Sequence, residues 1–112
     1  MENNKITFDE FKKTEIKIGE IISAEKVPET DKLLKLMVDF GEPEKRQIVS
    51  GISAYFPDEK MLVGKKCAFV TNLEPRTIRG LESNGMILAV SGDGFFSLLE
   101  TNENVAPGSV VK

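Results

Sequence analysis

Apolar and polar residues alternate with a period of two along most of the chain, and helical spacing is confined to two short places. A period of two marks strands with one buried face. Over residues 14–27, Ile16 and Ile18 alternate with Glu15 and Lys17 until Gly19 intervenes and Ile21-Ile22 breaks the rhythm. The pattern predicts one long strand that bends or bulges near a glycine, as strands do at barrel corners. A second strand is predicted over residues 33–40, with Leu34, Leu36, Val38 and Phe40 on one face and Leu33, Lys35, Met37 and Asp39 on the other. Residues 46–50 form a third, with Ile48 facing opposite to Val49, and residues 66–71 a fourth. Residues 85–90 and 94–99 read as a hairpin across a turn rich in glycine and aspartate, and residues 109–111 as a last extended piece.

Helical signals are few. Thr7-Phe8-Asp9-Glu10 has the form of a capping box, and Phe8 and Phe11 then share one face of a helix of about two turns. Such a helix cannot stand alone, so its aromatic face must pack on the domain or on a second copy. Residues 53–56 read as a helical turn stopped by Pro57-Asp58. Five or six short strands, a bent first strand and a helical turn between the third and fourth predict an all-β fold. The best match is a five-stranded Greek-key barrel, the OB-fold, with a short N-terminal helix. A β-sandwich fits less well, because it needs about seven strands. Residues 1–112 are expected to form one domain, with residues 1–5 disordered.

Composition narrows the function. The chain has 112 residues, no histidine, no tryptophan, one tyrosine and one cysteine. Without histidine it lacks the commonest general base and metal ligand, so a binding module is expected and an enzyme is not, with no cofactor and no metal. Cys67 lies in an apolar run and reads as a buried thiol. The acidic residues Glu42, Glu44, Asp58 and Glu59 match no calcium loop. No stretch reaches the roughly 18 apolar residues of a membrane span, and no apolar signal core follows Met1, which predicts a cytoplasmic protein.

The net charge of −3 conceals a partition. Residues 32–79 carry nine basic and six acidic side chains, whereas residues 1–31 carry five and eight, and residues 80–112 one and four. Beyond a Debye length of about 8 Å the flanking acids are screened, so a local basic surface can still attract phosphate. The loop from Asn72 to Met86 concentrates the interest. It is longer than a strand connection requires, and it carries Pro75, Arg76, Arg79, Gly80 and Gly85. A shaped loop presenting guanidinium groups suits phosphate. OB-folds bind oligonucleotides through one sheet face and the loops between strands 1–2 and 4–5. Lys32 lies at the edge of the first of these loops, Arg76 and Arg79 in the second, Lys35 on the outer face of strand 2, and Arg46 at the start of strand 3. Ser83 reads equally as a donor at a binding edge or as a hydrogen bond within the loop. Aromatic platforms are sparse, which favours recognition of a folded RNA by shape and phosphate over non-specific single-strand binding.

Several segments carry a family resemblance. Residues 6–11 with Glu15-Ile16-Lys17-Ile18-Gly19, then Asp31-Lys32-Leu33-Leu34-Lys35-Leu36, Arg46-Gln47-Ile48-Val49-Ser50-Gly51-Ile52, Asn72-Leu73-Glu74-Pro75-Arg76, and Ser83-Asn84-Gly85-Met86 occur in order. Together they resemble the tRNA-binding domain found at the C-terminus of bacterial methionyl-tRNA synthetases and as a free-standing structure-specific tRNA-binding protein. The resemblance implies an OB core with added C-terminal strands, assembled as a homodimer that binds tRNA by the shape of its outer corner, with an aminoacyl-tRNA synthetase as a further partner. It implies contacts at Lys32, Lys35, Arg46, Ser50, Asn72, Arg76, Ser83 and Met86, to which charge and position add Arg79. Asn84 departs from the family pattern, where Glu, Gln or His is expected. The alternative is a protein-interaction module, such as the chaperone branch of the same family, which lacks the Gly85-Met86 pair; Leu33 and Met37 would then face the partner.

Overall fold

The computed structural model describes residues 4–112. Residues 1–3 of the segment expected to be disordered lie outside the described residues.

A single strand organises the molecule. β1 (Ile16–Lys26) is long enough to serve two partners, because its second half turns away from its first. Its first half pairs with β4 (Lys66–Val70), from Ile16 opposite Val70 to Glu20 opposite Lys66. Its second half pairs with β2 (Leu34–Asp39), from Glu20 opposite Asp39 to Lys26 opposite Leu34. A bulge between Ile21 and Ser23 accommodates the change of direction. Gly19 is required for a different reason: a Cβ there would lie 2.5 Å from Val38 Cγ1 and 2.6 Å from Phe40 Cε1. The anticipated bend is therefore made by two features, a bulge at Ile22 and a bare backbone at Gly19.

β2 pairs with β3 (Arg46–Ser50), and β4 pairs with the two-residue strand β7 (Met86–Ile87), so the sheet order is β3-β2-β1-β4-β7. All pairings are antiparallel. The residues before β7 return to β3, where the Asn84 amide donates to the Gln47 carbonyl at 2.9 Å, and the sheet becomes a nearly closed five-stranded barrel. This all-β barrel agrees with the expected OB architecture. Ile21, Leu34, Leu36, Val38, Ile48 and Phe69 fill it completely shielded from solvent, and Phe40 meets Phe69 edge to face at 5.2 Å. Cys67 is buried among them, and burial, with help from Glu100, pushes its thiol up to about 12.

Elsewhere the structure departs from the pattern in the sequence. Residues 85–90 do not form one strand: Met86–Ile87 stays on β4, and Ala89–Gly92 (β8) swings out to pair with Phe95–Leu98 (β9). Val49 is buried as well as Ile48, because β3 is covered on both faces. A second 3-10 turn, Glu59–Leu62, follows the expected one at Ser53–Tyr55 and buries Leu62 in the core. At the C-terminus, Val111 N donates to Ile16 O at 2.8 Å and Gly108 N to Ile18 O at 2.7 Å, which adds a short extra edge to β1. Helix α1 (Phe8–Lys12) forms with its capping box complete, Thr7 Oγ1 accepting from Glu10 N at 3.1 Å and Glu10 Oε1 from Thr7 N at 3.1 Å. None of its residues is buried, so Phe8 and Phe11 do not pack on the domain.

One polar network braces the barrel's far end. The Arg46 guanidinium grips Glu42 through two hydrogen bonds of 2.9 and 2.8 Å, donates to the Thr71 carbonyl at 2.7 Å, and lies 5.3 Å over the Phe40 ring. Buried Thr71 in turn donates its hydroxyl to Glu15 Oε1 at 2.6 Å. Hydrogen bonding from Thr71, with Lys17 nearby, holds the Glu15 carboxyl below its ordinary range; hydrogen bonding from Arg46 does the same for Glu42.

Two outcomes are expected. Gly19→Ala must displace Val38 and Phe40, and overpacking of this kind costs about 1–3 kcal/mol, read as a lower urea midpoint at unchanged slope. Acid should also destabilise the fold. The unfolded chain binds protons at Glu15 and Glu42 at higher pH than the folded chain does, so their contribution is intact above the ordinary carboxylate range and is lost as pH falls through their lowered values. Urea midpoints measured from pH 7 to pH 3 should decline, and less steeply in the Glu15→Gln, Glu42→Gln double variant; an identical decline would remove this assignment.

Candidate nucleic-acid interface

The stretch after β4 is not an open loop. Arg76–Ile78 (β5) and Leu81–Ser83 (β6) form a hairpin with Arg76 opposite Ser83 and Ile78 opposite Leu81. Its two-residue turn is Arg79-Gly80, with φ of +52° and +80°. Both residues are left-handed, as a primed hairpin turn demands. Glycine takes this conformation without penalty, whereas arginine does so at a cost of roughly 1–2 kcal/mol. The turn therefore holds Arg79 at the tip of the hairpin despite local strain.

Ser83 decides where that tip goes. Its hydroxyl accepts from the buried Val49 amide at 3.0 Å and donates to the Gly85 carbonyl at 3.2 Å, and its side chain is only 4% exposed. Gln47 Nε2 adds a bond to the Glu82 carbonyl at 2.9 Å. The hairpin is thereby laid along β3. Register partners share a face of a two-stranded ribbon, so Arg76, Ile78, Leu81 and Ser83 occupy the face towards β3, and exposed Thr77 and Glu82 the other.

Laid along β3, the hairpin brings its tip to the β1–β2 loop. Glu29, Thr30, Asp31, Lys32 and Leu33 meet Ile78 and Arg79 around an open groove of about 430 Å³. The loop is held by Thr30, whose hydroxyl donates to Val27 O at 2.9 Å, and by the Ser53 amide, which donates to Lys32 O at 2.9 Å. Lys32 and Arg79 line this groove from opposite segments. Lys35 stands on the outer face of β2 between Glu25 and Val49 in the pairing, 3.8 Å from the Glu25 carboxylate. Ser50 ends β3 opposite Leu34. Among the described residues, Lys32, Arg76 and Arg79 form no ion pair.

The remaining expected contacts are placed differently. Arg46 sits at the other end of β3 from Ser50, roughly 13 Å away at strand rise, and does not join Lys32 and Arg79. It lines a second groove of about 620 Å³ in the company of Glu42, Glu44 and Glu82, with its donors turned to Glu42 and Thr71. Asn72 is an internal clamp, accepting from Glu15 N at 2.8 Å and donating to Lys13 O at 2.6 Å. Of the two readings open for Ser83, its contacts are those of the bond within the fold. Met86 is exposed at the edge of β7. Leu33 and Met37 are half-buried, which weakens them as an exposed protein-docking pair. Sequence reasoning missed Gln47, whose outward position on β3 was its only signal, and the two carboxylates of Glu29 and Asp31 that share the Lys32 groove. Among the described residues no group of three His, Cys, Asp or Glu side chains is placed to hold a metal, and no helix is long and apolar enough to cross a membrane.

Comparison with known proteins places this geometry. The family model described as "Putative tRNA binding domain" matches residues 16–110. A methionine–tRNA ligase of Methanosphaerula palustris is 50% identical over 107 residues, and those of Lactiplantibacillus plantarum and Thermotoga maritima are 42% and 44% identical. These alignments cover 95–98% of this chain but only 16–17% of the ligases, so the chain spans about a sixth of their length. A methionyl-tRNA synthetase-related protein from Pyrococcus horikoshii superposes with a TM-score of 0.90 at 41% identity, covering 98% of this chain and all of that one. The chaperone CsaA of Bacillus anthracis superposes with a TM-score of 0.83 at 26% identity, over 96% of this chain and 99% of that one. With nearly its whole length matched by the family model, and with synthetase relatives well above 30% identity, this chain belongs to the tRNA-binding domain family.

Proposed function

We propose that the chain is a non-catalytic module that binds tRNA by its shape and phosphates, as a homodimer, either free-standing or as the C-terminal appendage of a methionyl-tRNA synthetase. The observation that carries this reading is the groove in which Lys32 and Arg79, each without an ion pair among the described residues, face each other from two separate segments. Lys35 and Arg76 extend the basic character along the adjoining face of β2 and the hairpin. Glu29 and Asp31 line the same groove and repel any anion not held directly by the cations. Ser50 ends β3 opposite Leu34, and Met86 is exposed on β7 outside the groove. Arg46, Asn72 and Ser83 act mainly by holding its shape, because their polar groups are engaged inside the fold.

The dimer reading rests on α1. Phe8 is 72% exposed and Phe11 46%, on a helix with no buried residue, and Val110 and Val111 are exposed on the C-terminal edge beside β1. Covering these groups with a second copy removes apolar surface from water and doubles a weak site, so that one tRNA touching both copies gains avidity.

Filter binding with bulk tRNA tests the first part. Arg76→Ala and Arg79→Asn, the latter chosen because asparagine tolerates the left-handed turn, should each weaken binding roughly ten-fold or more, about 1.5–3 kcal/mol for a charged hydrogen bond. Each should also flatten the log–log salt dependence by about 0.7–0.9. Unchanged affinity in both would count against this placement of the site, and retention of unfolded polypeptide with none of tRNA would favour the chaperone-like alternative. Light scattering tests the second part: wild type should have the mass of two chains, and the Phe8→Asp, Phe11→Asp variant that of one.

A further inference from the structure

Aromatic side chains are few in this sequence, yet the fold gathers four of them. Tyr55, at the end of the Ser53–Tyr55 turn, lies flat on Phe96 of β9, with ring centroids 3.9 Å apart and planes inclined by 4°. Phe56 braces the underside, meeting Phe96 edge to face at 5.9 Å. Phe95 lies across Gly92, its register partner, where any Cβ would collide with the ring. Phe96 covers one face of Tyr55, and Tyr55 is still 52% exposed. Beside it opens a slot of about 300 Å³ lined by Tyr55, Gly92, Gly94, Phe95 and Phe96. Every wall is a ring or a glycine, and none is charged.

We propose that Tyr55, backed by Phe96, is a stacking platform for one unpaired base of the bound RNA. The inference rests on the tRNA reading above and deepens it. Three features choose a base as occupant. A flat uncharged slot with glycine walls admits a planar ring and offers few groups to a peptide backbone. Base–aromatic stacking tolerates any base, which suits a site that reads shape. The platform is tied to the phosphate groove through the backbone: Ser53 N donates to Lys32 O, and Tyr55 ends the short turn that Ser53 opens, so the backbones at Lys32 and Tyr55 lie within roughly 10 Å of each other. A nucleotide chain held at Lys32 and Arg79 can therefore deliver an unpaired base to Tyr55. Glu100, on the neighbouring groove, is paired with Lys65 at 3.2 Å, and Asp93, in the turn between Gly92 and Gly94, does not line the slot.

The absence of tryptophan makes a direct test available. In the Tyr55→Trp variant of the full chain the introduced indole is the sole tryptophan emitter. Bulk tRNA should quench it with the same midpoint as filter retention, and a blunt, fully paired RNA duplex of equal length should not. Tyr55→Ala should weaken tRNA binding about ten-fold with an unchanged salt slope, and Tyr55→Phe should bind within two-fold of wild type. Full emission at saturating tRNA, equal quenching by the duplex, or undiminished binding by Tyr55→Ala would overturn the platform while tRNA retention by wild type left the main reading in place. Quenching by unfolded polypeptide and not by tRNA would overturn it in favour of a peptide slot. If wild type retains no tRNA, the main reading fails first and this one with it. Should Tyr55→Ala not fold, the Tyr55→Trp fluorescence still decides.

Discussion

The amide of Val49 is buried in the barrel wall and is met there by a side chain. A buried amide without a partner costs about as much as several net hydrogen bonds contribute, so something must satisfy it. The Ser83 hydroxyl does, and donates its own hydrogen bond to the Gly85 carbonyl. That bond, together with Asn84 N to Gln47 O and Gln47 Nε2 to Glu82 O, closes the seam between β3 and the residues leading to β7. It also sets the angle of the β5–β6 hairpin, because Ser83 is the last residue of β6. The position of Arg79 follows from it. A hairpin swung away from β3 would leave Lys32 and Arg79 on separate projections, and the groove between them would not exist.

The polar residues near this surface divide into those that build it and those left over to use it. Arg46, Asn72 and Ser83 spend their donors and acceptors on Glu42, Thr71, Lys13, Glu15 and Val49. Such groups are held in place by their partners, which is what the proposed binding surface needs in its foundations. Lys32, Arg76 and Arg79 stand above them without ion pairs among the described residues. Their charge acts across an acidic molecule because salt screens the distant carboxylates over about 8 Å while the nearby cations act together. Strain at Arg79 belongs to the same logic, since backbone held in a costly conformation is maintained only where the surrounding structure over-determines it.

Much of this molecule was legible in its sequence. Strict alternation at Leu34, Leu36, Val38 and Phe40 placed β2, and its core face, correctly. The capping box at Thr7–Glu10 placed α1, whose aromatic face does not pack on the domain, one of its two expected partners. The long bent first strand was announced by Gly19. Local patterns of this kind are determined by neighbouring residues and survive in any reading of the chain. The hairpin of residues 76–83 was not legible, because three-residue strands carry too little alternation to register and its turn uses arginine where glycine or asparagine signals a primed turn. The split of residues 85–90 was hidden for a similar reason: one apolar run serves two strands in different sheets.

What the sequence determined by itself was the barrel, its family and the identity of the basic residues, because periodicity and motif order are properties of the chain. What only the tertiary structure decided was which of those residues meet. Lys32 and Arg79 are far apart in sequence and share a groove, whereas Arg46, named on the same grounds, is drawn into a brace with Glu42 and Thr71. Tyr55 and Phe96 likewise show no relation along the chain and stack at 3.9 Å. Convergence of this kind depends on how a closed sheet returns on itself, and the physical reason is that hydrogen-bonding groups at the seam must find partners wherever the fold brings them.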